Sequence, residues 1–222
     1  MSEHQQGLDT LKDIRNMMER SSRFISLSGW SGVAAGVCAL VGASAAQDYF
    51  SPRVVSASSG HLSDIAISPQ VSTTSFIALL LEDKLFQIAA LTFFAAFISA
   101  FVFTYIKSKK QGIPLLGKTS IRLMFSVAVP MIVGGLFVLR MAELKVFGLI
   151  APACLLFYGL ALLNASKYTF PEIRWLGMFQ LLLGILNCWN TVFGLYFWAL
   201  GFGVLHIVYG VVMWWKYERN PV

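Results

Sequence analysis

Residues 24–46 read F-I-S-L-S-G-W-S-G-V-A-A-G-V-C-A-L-V-G-A-S-A-A, with no ionisable carboxylate or amine anywhere in the run. At 1.5 Å per residue such a helix is about 35 Å long, enough to cross ~30 Å of hydrocarbon. Its glycines, alanines and serines recur every three or four positions: Ser28, Gly32, Ala35, Gly36, Ala39, Ala43, Ala46. That spacing gives one face without bulk, along which membrane helices approach closely. The stretch is expected to be a membrane helix with other helices packed against it.

The rest of the chain repeats the pattern. Of its 222 residues 57% are hydrophobic and 13% charged, and the mean hydropathy is +0.69. A soluble domain carries about a quarter charged residues. Apolar runs fall at about 24–46, 85–106, 123–141, 146–166, 174–190 and 194–215. The expected fold class is all-α: a polytopic membrane protein, a six-transmembrane-helix bundle over 24–217. Residues 1–23 carry Leu8, Leu11, Ile14 and Met18 on one helical face and are expected to form an amphipathic cytoplasmic helix. Residues 47–84 are expected as the extracytoplasmic loop, and Pro130 and Pro152 are expected to kink the third and fourth spans.

The net charge is +6, but the placement of the basic residues argues against nucleic acid. The amino terminus, the 107–122 loop, the 167–174 turn and the carboxyl tail hold thirteen of the seventeen Lys and Arg residues. Arg53, Lys84, Arg140 and Lys145 make up the rest. This asymmetry puts both termini in the cytoplasm and the protein, as a multi-pass species, in the inner (plasma) membrane. The lipid bilayer is the first partner implied; a second copy or a partner membrane protein is the other. Ala43-Ser44-Ala45 is similar to a signal-peptidase site, yet the apolar run before it is longer than a signal peptide's, so the helix is expected to be retained.

Two hairpins echo each other. Residues 120–168 run S-I-R-L-M … F-G-L … Y-G … K-Y, and 172–217 run E-I-R-W-L … F-G-L … Y-G … K-Y. Either these are tandem hairpins from a duplication, or helix ends have independently acquired aromatic-basic pairs.

Gly29-Trp30-Ser31-Gly32 resembles the G-x-S-G of rhomboid intramembrane proteases. That resemblance implies a serine hydrolase with Ser31 as nucleophile and His206, the one histidine within a span, as base. It covers the tetrad and one histidine. In that family the motif opens a central helix facing an extracytoplasmic cavity, whereas here it lies in the cytoplasmic half of the first span. The family's polar second-span residues have no counterpart in L-F-Q-I-A-A-L-T-F-F-A-A-F-I-S-A-F. The tetrad is assigned to packing, and no catalytic residue is assigned.

The helix-packing face comprises Ser28, Gly32, Gly36, Gly184, Gly203 and Gly210. Gln180, Asn187 and His206 share the small faces of the last two spans and are the expected polar core or pathway, since lipid offers their hydrogen-bonding groups nothing. Cys38, Cys154 and Cys188 are scattered, with no C-x-x-C pair, and no acidic or histidine cluster has metal-ligand spacing. No cofactor is expected. In organisation the chain resembles six-span bacterial inner-membrane proteins, a likeness that implies no activity. Three functions are expected, in this order: a non-enzymatic accessory, scaffold or signalling module; a small-solute channel or transporter lined by Gln180, Asn187 and His206; and, most remotely, the hydrolase.

Overall fold

The structure, a computed structural model, describes residues 28–59, 84–111 and 117–219. The amphipathic segment 1–23, residues 24–27 of the first run and residues 60–83 of the expected loop lie outside the described residues. Those described are helical, without a strand, and within 117–219 the helices are joined by short turns. In order they are α1 (Gly29–Ser59), α2 (Lys84–Gln111), α3 (Lys118–Glu143), α4 (Ile150–Ala165), α5 (Glu172–Trp189) and α6. The last begins as Gly194–Trp198, passes through a π-helical turn at Ala199–Val204 and ends as Leu205–Tyr217. Five stretches are long and apolar enough to cross a membrane: Gly29–Tyr49, Lys84–Lys110, Thr119–Glu143, Phe147–Ala165 and Thr191–Tyr217. α5 has 18 residues, about 27 Å, and opens with Glu172 and Arg174.

Two expectations change. The first helix does not end at 46. It runs through Pro52 to Ser59, so 47–59 is not loop; between Gly42 and Gly60 the chain has no glycine to break the helix. Pro152 is the third residue of α4. In the first turn a backbone N–H has no helical acceptor, so the proline removes no hydrogen bond and no kink is required. α3 continues as one helix across Pro130.

α3 ends where Lys145 takes φ 58°. Lys145 N–H bonds Ala142 O at 3.0 Å and Val146 N–H bonds Met141 O at 2.9 Å, the paired bonds of a Schellman turn. A 3₁₀ turn, Phe147–Leu149, leads into α4, and a second, Thr191–Phe193, leads into α6. The two expected hairpins therefore share a helix–3₁₀–helix form.

α6 is central. It packs on α1 along one side and on α4 and α5 along the other, while α2 lies on α1 and α3 on α4. The flanking helices expose their large side chains, among them Leu91, Phe93, Phe94 and Phe97 on α2 and Phe125, Ile132 and Leu136 on α3. α2 is seated through Thr92, which occupies the space a Cβ on Gly42 would need. α3 is seated through Gly134, against the Phe157 ring.

Candidate functional site: a polar joint around a π-helical turn

A helix in hydrocarbon must satisfy its own backbone, because each unpaired group costs several kcal/mol. A π-helical turn shifts the ladder from four residues to five, and neighbouring side chains have to take up what it displaces. In α6 the turn falls on A-L-G-F-G-V, where Gly201 and Gly203 are buried. Gly201 is the focus. A Cβ there would lie 2.6 Å from Gln180 Oε1 and would also strike Leu155, so only glycine leaves room for both side chains.

Gln180 on α5 is 0% exposed, and its Nε2 donates to Gly201 O at 2.8 Å. His206, five residues after Gly201, places Nδ1 3.0 Å from the same oxygen. A carbonyl only accepts, so Nδ1 carries the hydrogen; Nε2 of the neutral ring then accepts from the Tyr158 hydroxyl on α4 at 2.8 Å. Phe202 lies against the Tyr158 ring, centroids 5.1 Å apart. Gly201 O thus joins α5 to α6, and the His206 ring carries the connection on to α4.

The site residues expected from sequence divide accordingly. Gln180 and His206 come together; Asn187, two turns farther along α5, does not join them. Asn187 is 0% exposed, and neither its Nδ2 nor its Oδ1 has a hydrogen-bond partner among the described residues; Gln180 Oε1 has none either. Gly32 and Gly36 lie along the contact with α6, and Ser28 is buried just before α1 begins. A Cβ on Gly32 would sit 3.2 Å from His206 O, and one on Gly36 2.7 Å from Gly203 O. Gly210 faces Gly29 and Val33 of α1, while Gly184 faces Leu156 of α4.

Ser31 and His206 therefore lie on adjoining helices, but their functional atoms point elsewhere. Ser31 Oγ donates to Ser28 O of its own chain segment, and both ring nitrogens of His206 are engaged. No nucleophile–base pair forms between them. Cys38 and Cys154 are half-buried and Cys188 is exposed, all three free. No group of three metal-ligating side chains occurs among the described residues.

One end of the bundle is tied by charge. Glu218 Oε1 accepts from Gly29 N–H at 2.8 Å and from Lys107 Nζ at 2.9 Å, linking the start of α1, the end of α2 and the end of α6. Lys216 and Tyr217 of α6 donate to Glu172, the first residue of α5. Burial raises the Glu172 carboxyl, but hydrogen bonds from Lys216, the backbone and Tyr217 outweigh it and hold the group below the usual carboxylate value. At the opposite end, Arg140 pairs with Glu143 at 2.9 Å on an exposed surface.

Tyr158 and Gly201 are members of the joint that the sequence did not single out. A signal was present: Tyr158 sits in the middle of its apolar run rather than at an end, where membrane tyrosines concentrate. Compared with protein families, with curated proteins and with solved structures, the chain matches none.

Proposed function

We propose that the chain is a non-enzymatic integral membrane protein of six spans, with both termini cytoplasmic in a bacterial inner membrane, acting as an accessory, scaffold or signalling subunit through contacts with a second copy or a partner membrane protein. The observation that carries this reading is the use of its intramembrane polar groups. Gln180 joins α5 to α6 at Gly201 O, His206 joins α6 to α4 through Tyr158, and Ser31 bonds within its own segment. Groups engaged in this way hold helices together and present neither a nucleophile nor an ionised path.

Six spans require α5 to cross. Its support is its place: α5 packs against both α4 and α6, and its buried positions, Ile173, Leu176, Gly177, Gln180, Gly184 and Asn187, run its whole length. The thirteen-to-four distribution of basic residues supports cytoplasmic termini. Gly29, Lys107, Glu172 and Glu218, all from that basic side, meet at one end of the bundle.

Two measurements test the reading. Single cysteines at Ser58 and Lys110, in a cysteine-free background, are expected to differ toward an impermeant maleimide in intact cells: Ser58 labelled, Lys110 protected. Lys110 is chosen because it is exposed, whereas the neighbouring Ser108 is buried. Mass measurement of the protein extracted in mild detergent is expected to find a second copy or a stoichiometric membrane partner. A monomer without partner that accelerates solute flux in liposomes replaces this reading with the channel or transporter reading.

A further inference from the structure

Among the described residues, Asn187 is the one buried side chain with every polar atom unmatched. It lies on the same face as Gln180, seven residues on, about 10 Å nearer the turn to α6. α5 and α6 run antiparallel, so seven residues back from Gly201 brings α6 to the same level at Gly194. Gly194 is buried, and a Cβ built on it meets only Ala151 of α4, at 3.4 Å. At that level α6 offers only a glycine, and both the donor and the acceptor of the Asn187 amide are unmatched by protein among the described residues. Gln180 Oε1 supplies a further unmatched acceptor on the inner side.

Buried polar groups in folded proteins are matched by protein, water or ligand, and an exception calls for one of these. Burial at 0% exposure rules out a partner approaching Asn187 from outside the bundle. α4 carries no charged residue, α5 none after Arg174 and α6 none before Lys216. An ion at Asn187 would therefore meet no counter-charge, at prohibitive cost. The guest has to be small, uncharged and able to donate and accept at once.

We propose that Asn187 is the binding residue of a dead-end site for a small uncharged hydrogen-bonding molecule, water or a primary amide, placed between α4, α5 and the start of α6. A primary amide complements Asn187 with two antiparallel N–H···O bonds, and water does so singly. Because Asn187 is fully buried, the guest exchanges only when the α5–α6 turn, whose Trp189, Asn190 and Val192 are exposed, opens. The site is closed on the inner side by the Tyr158–His206–Gly201–Gln180 joint. This goes beyond the subunit reading and does not require it.

The test uses the full chain in detergent micelles, with ¹⁵N in asparagine side chains and acetamide as the probe. The Asn187 amide signal is identified by its loss in Asn187→Leu. The expected result is a magnetisation-transfer peak between that amide and water, with or without a saturable acetamide-induced shift. A shift identifies an amide guest and is accompanied by a rise in melting temperature. Water contact alone identifies water. Gly194→Leu, which adds a bulky side chain at the same level of α6 and leaves Asn187 in place, is expected to abolish either response. Should Asn187→Leu fail to fold, Asn187→Ala makes the assignment. An Asn187 amide that contacts neither water nor acetamide overturns the proposal, as does a response that survives Gly194→Leu. Flux of acetamide through liposomes carrying the parent protein overturns the dead end.

Discussion

The two sides of α6 hold their neighbours by different means. Toward α1 the contact is backbone on backbone, with Gly29, Gly36, Gly203 and Gly210 letting the chains approach. Toward α4 and α5 it is directional, with Gln180 and His206 converging on Gly201 O and Tyr158 bonding the far nitrogen of His206. A seam of the first kind is held by dispersion and tolerates no added volume. A joint of the second kind tolerates a change of shape better than the loss of a partner, because each loss leaves another buried group unmatched. Stability on one side of α6 is thus set by volume, on the other by pairing.

The largest effects should come from volume in the seam. A Cβ on Gly210 would lie 2.6 Å from Gly29 O and from Val33 N, and neither backbone atom can turn aside. Gly210→Leu and Gly36→Leu are expected to abolish the monodisperse peak in size-exclusion chromatography. Gly210→Ala should already cost about 1–3 kcal/mol of stability. Gly135 on α3, whose Cβ would meet nothing within 4 Å, is the control: Gly135→Ala should leave the melting temperature unchanged. If Gly210→Ala and Gly135→Ala behave alike, the seam is not held by close approach.

Next come the pairing losses. His206→Ala removes the acceptor of Tyr158 and leaves a cavity, an expected cost of roughly 1–3 kcal/mol. Tyr158→Phe keeps the ring and should cost about 1 kcal/mol. Combined, the two should fall short of their sum by at least ~0.5 kcal/mol, as for residues in one network. Tyr158→Phe with Gly32→Ala, one change on each side of α6, should be additive. Additivity in the first cycle would mean that the hydroxyl and imidazole do not pair.

A smaller effect distinguishes the charged end from both. The folded-state pKa of Glu172 lies below its ordinary 4.5, so its contribution to stability is present above that value and is lost as pH falls through the folded pKa. The melting temperature should decline on acidification below pH 4.5, and less steeply in Glu172→Gln. An unchanged slope would remove Glu172 from the account.

The smallest effect is at Ser31. Its hydroxyl bonds Ser28 O, so Ser31→Ala should change stability by roughly 0.5 kcal/mol or less. The parent should not react with a fluorophosphonate probe. Labelling that depends on both Ser31 and His206 in folded protein would restore the hydrolase.

The seam was legible because shape in a membrane helix tracks residue volume, and volume is written in the sequence every three or four positions. The polar joint was only half legible. Gln180 and His206 stand out as polar letters in apolar runs, but the third partner, Tyr158, passes for an aromatic. The acceptor that Gln180 and His206 share, Gly201 O, is a backbone atom with no letter of its own. The sequence also places Ala199, Gly203, His206 and Gly210 on one face. In the structure Gly203 and Gly210 meet α1, whereas the His206 ring reaches Tyr158 on α4. Gly203 lies in the π-helical turn while His206 and Gly210 share the α-helical segment Leu205–Tyr217, so a face shared with Gly210 does not fix where the imidazole finds its partner.

By itself, then, the sequence determined the class of object. Apolar runs of membrane length leave the backbone no solvent but itself, which requires helices, and stripes of small residues require that the helices touch. It did not decide where the first helix ends, because the residues after 46 are polar and compatible with either helix or loop. It did not decide which neighbour each polar side chain would find. That depends on the order in which α4, α5 and α1 surround α6, a property of long-range packing. The same packing left Asn187 enclosed and unmatched: its burial is set by helices distant in sequence, and nothing within its own turn of helix records it.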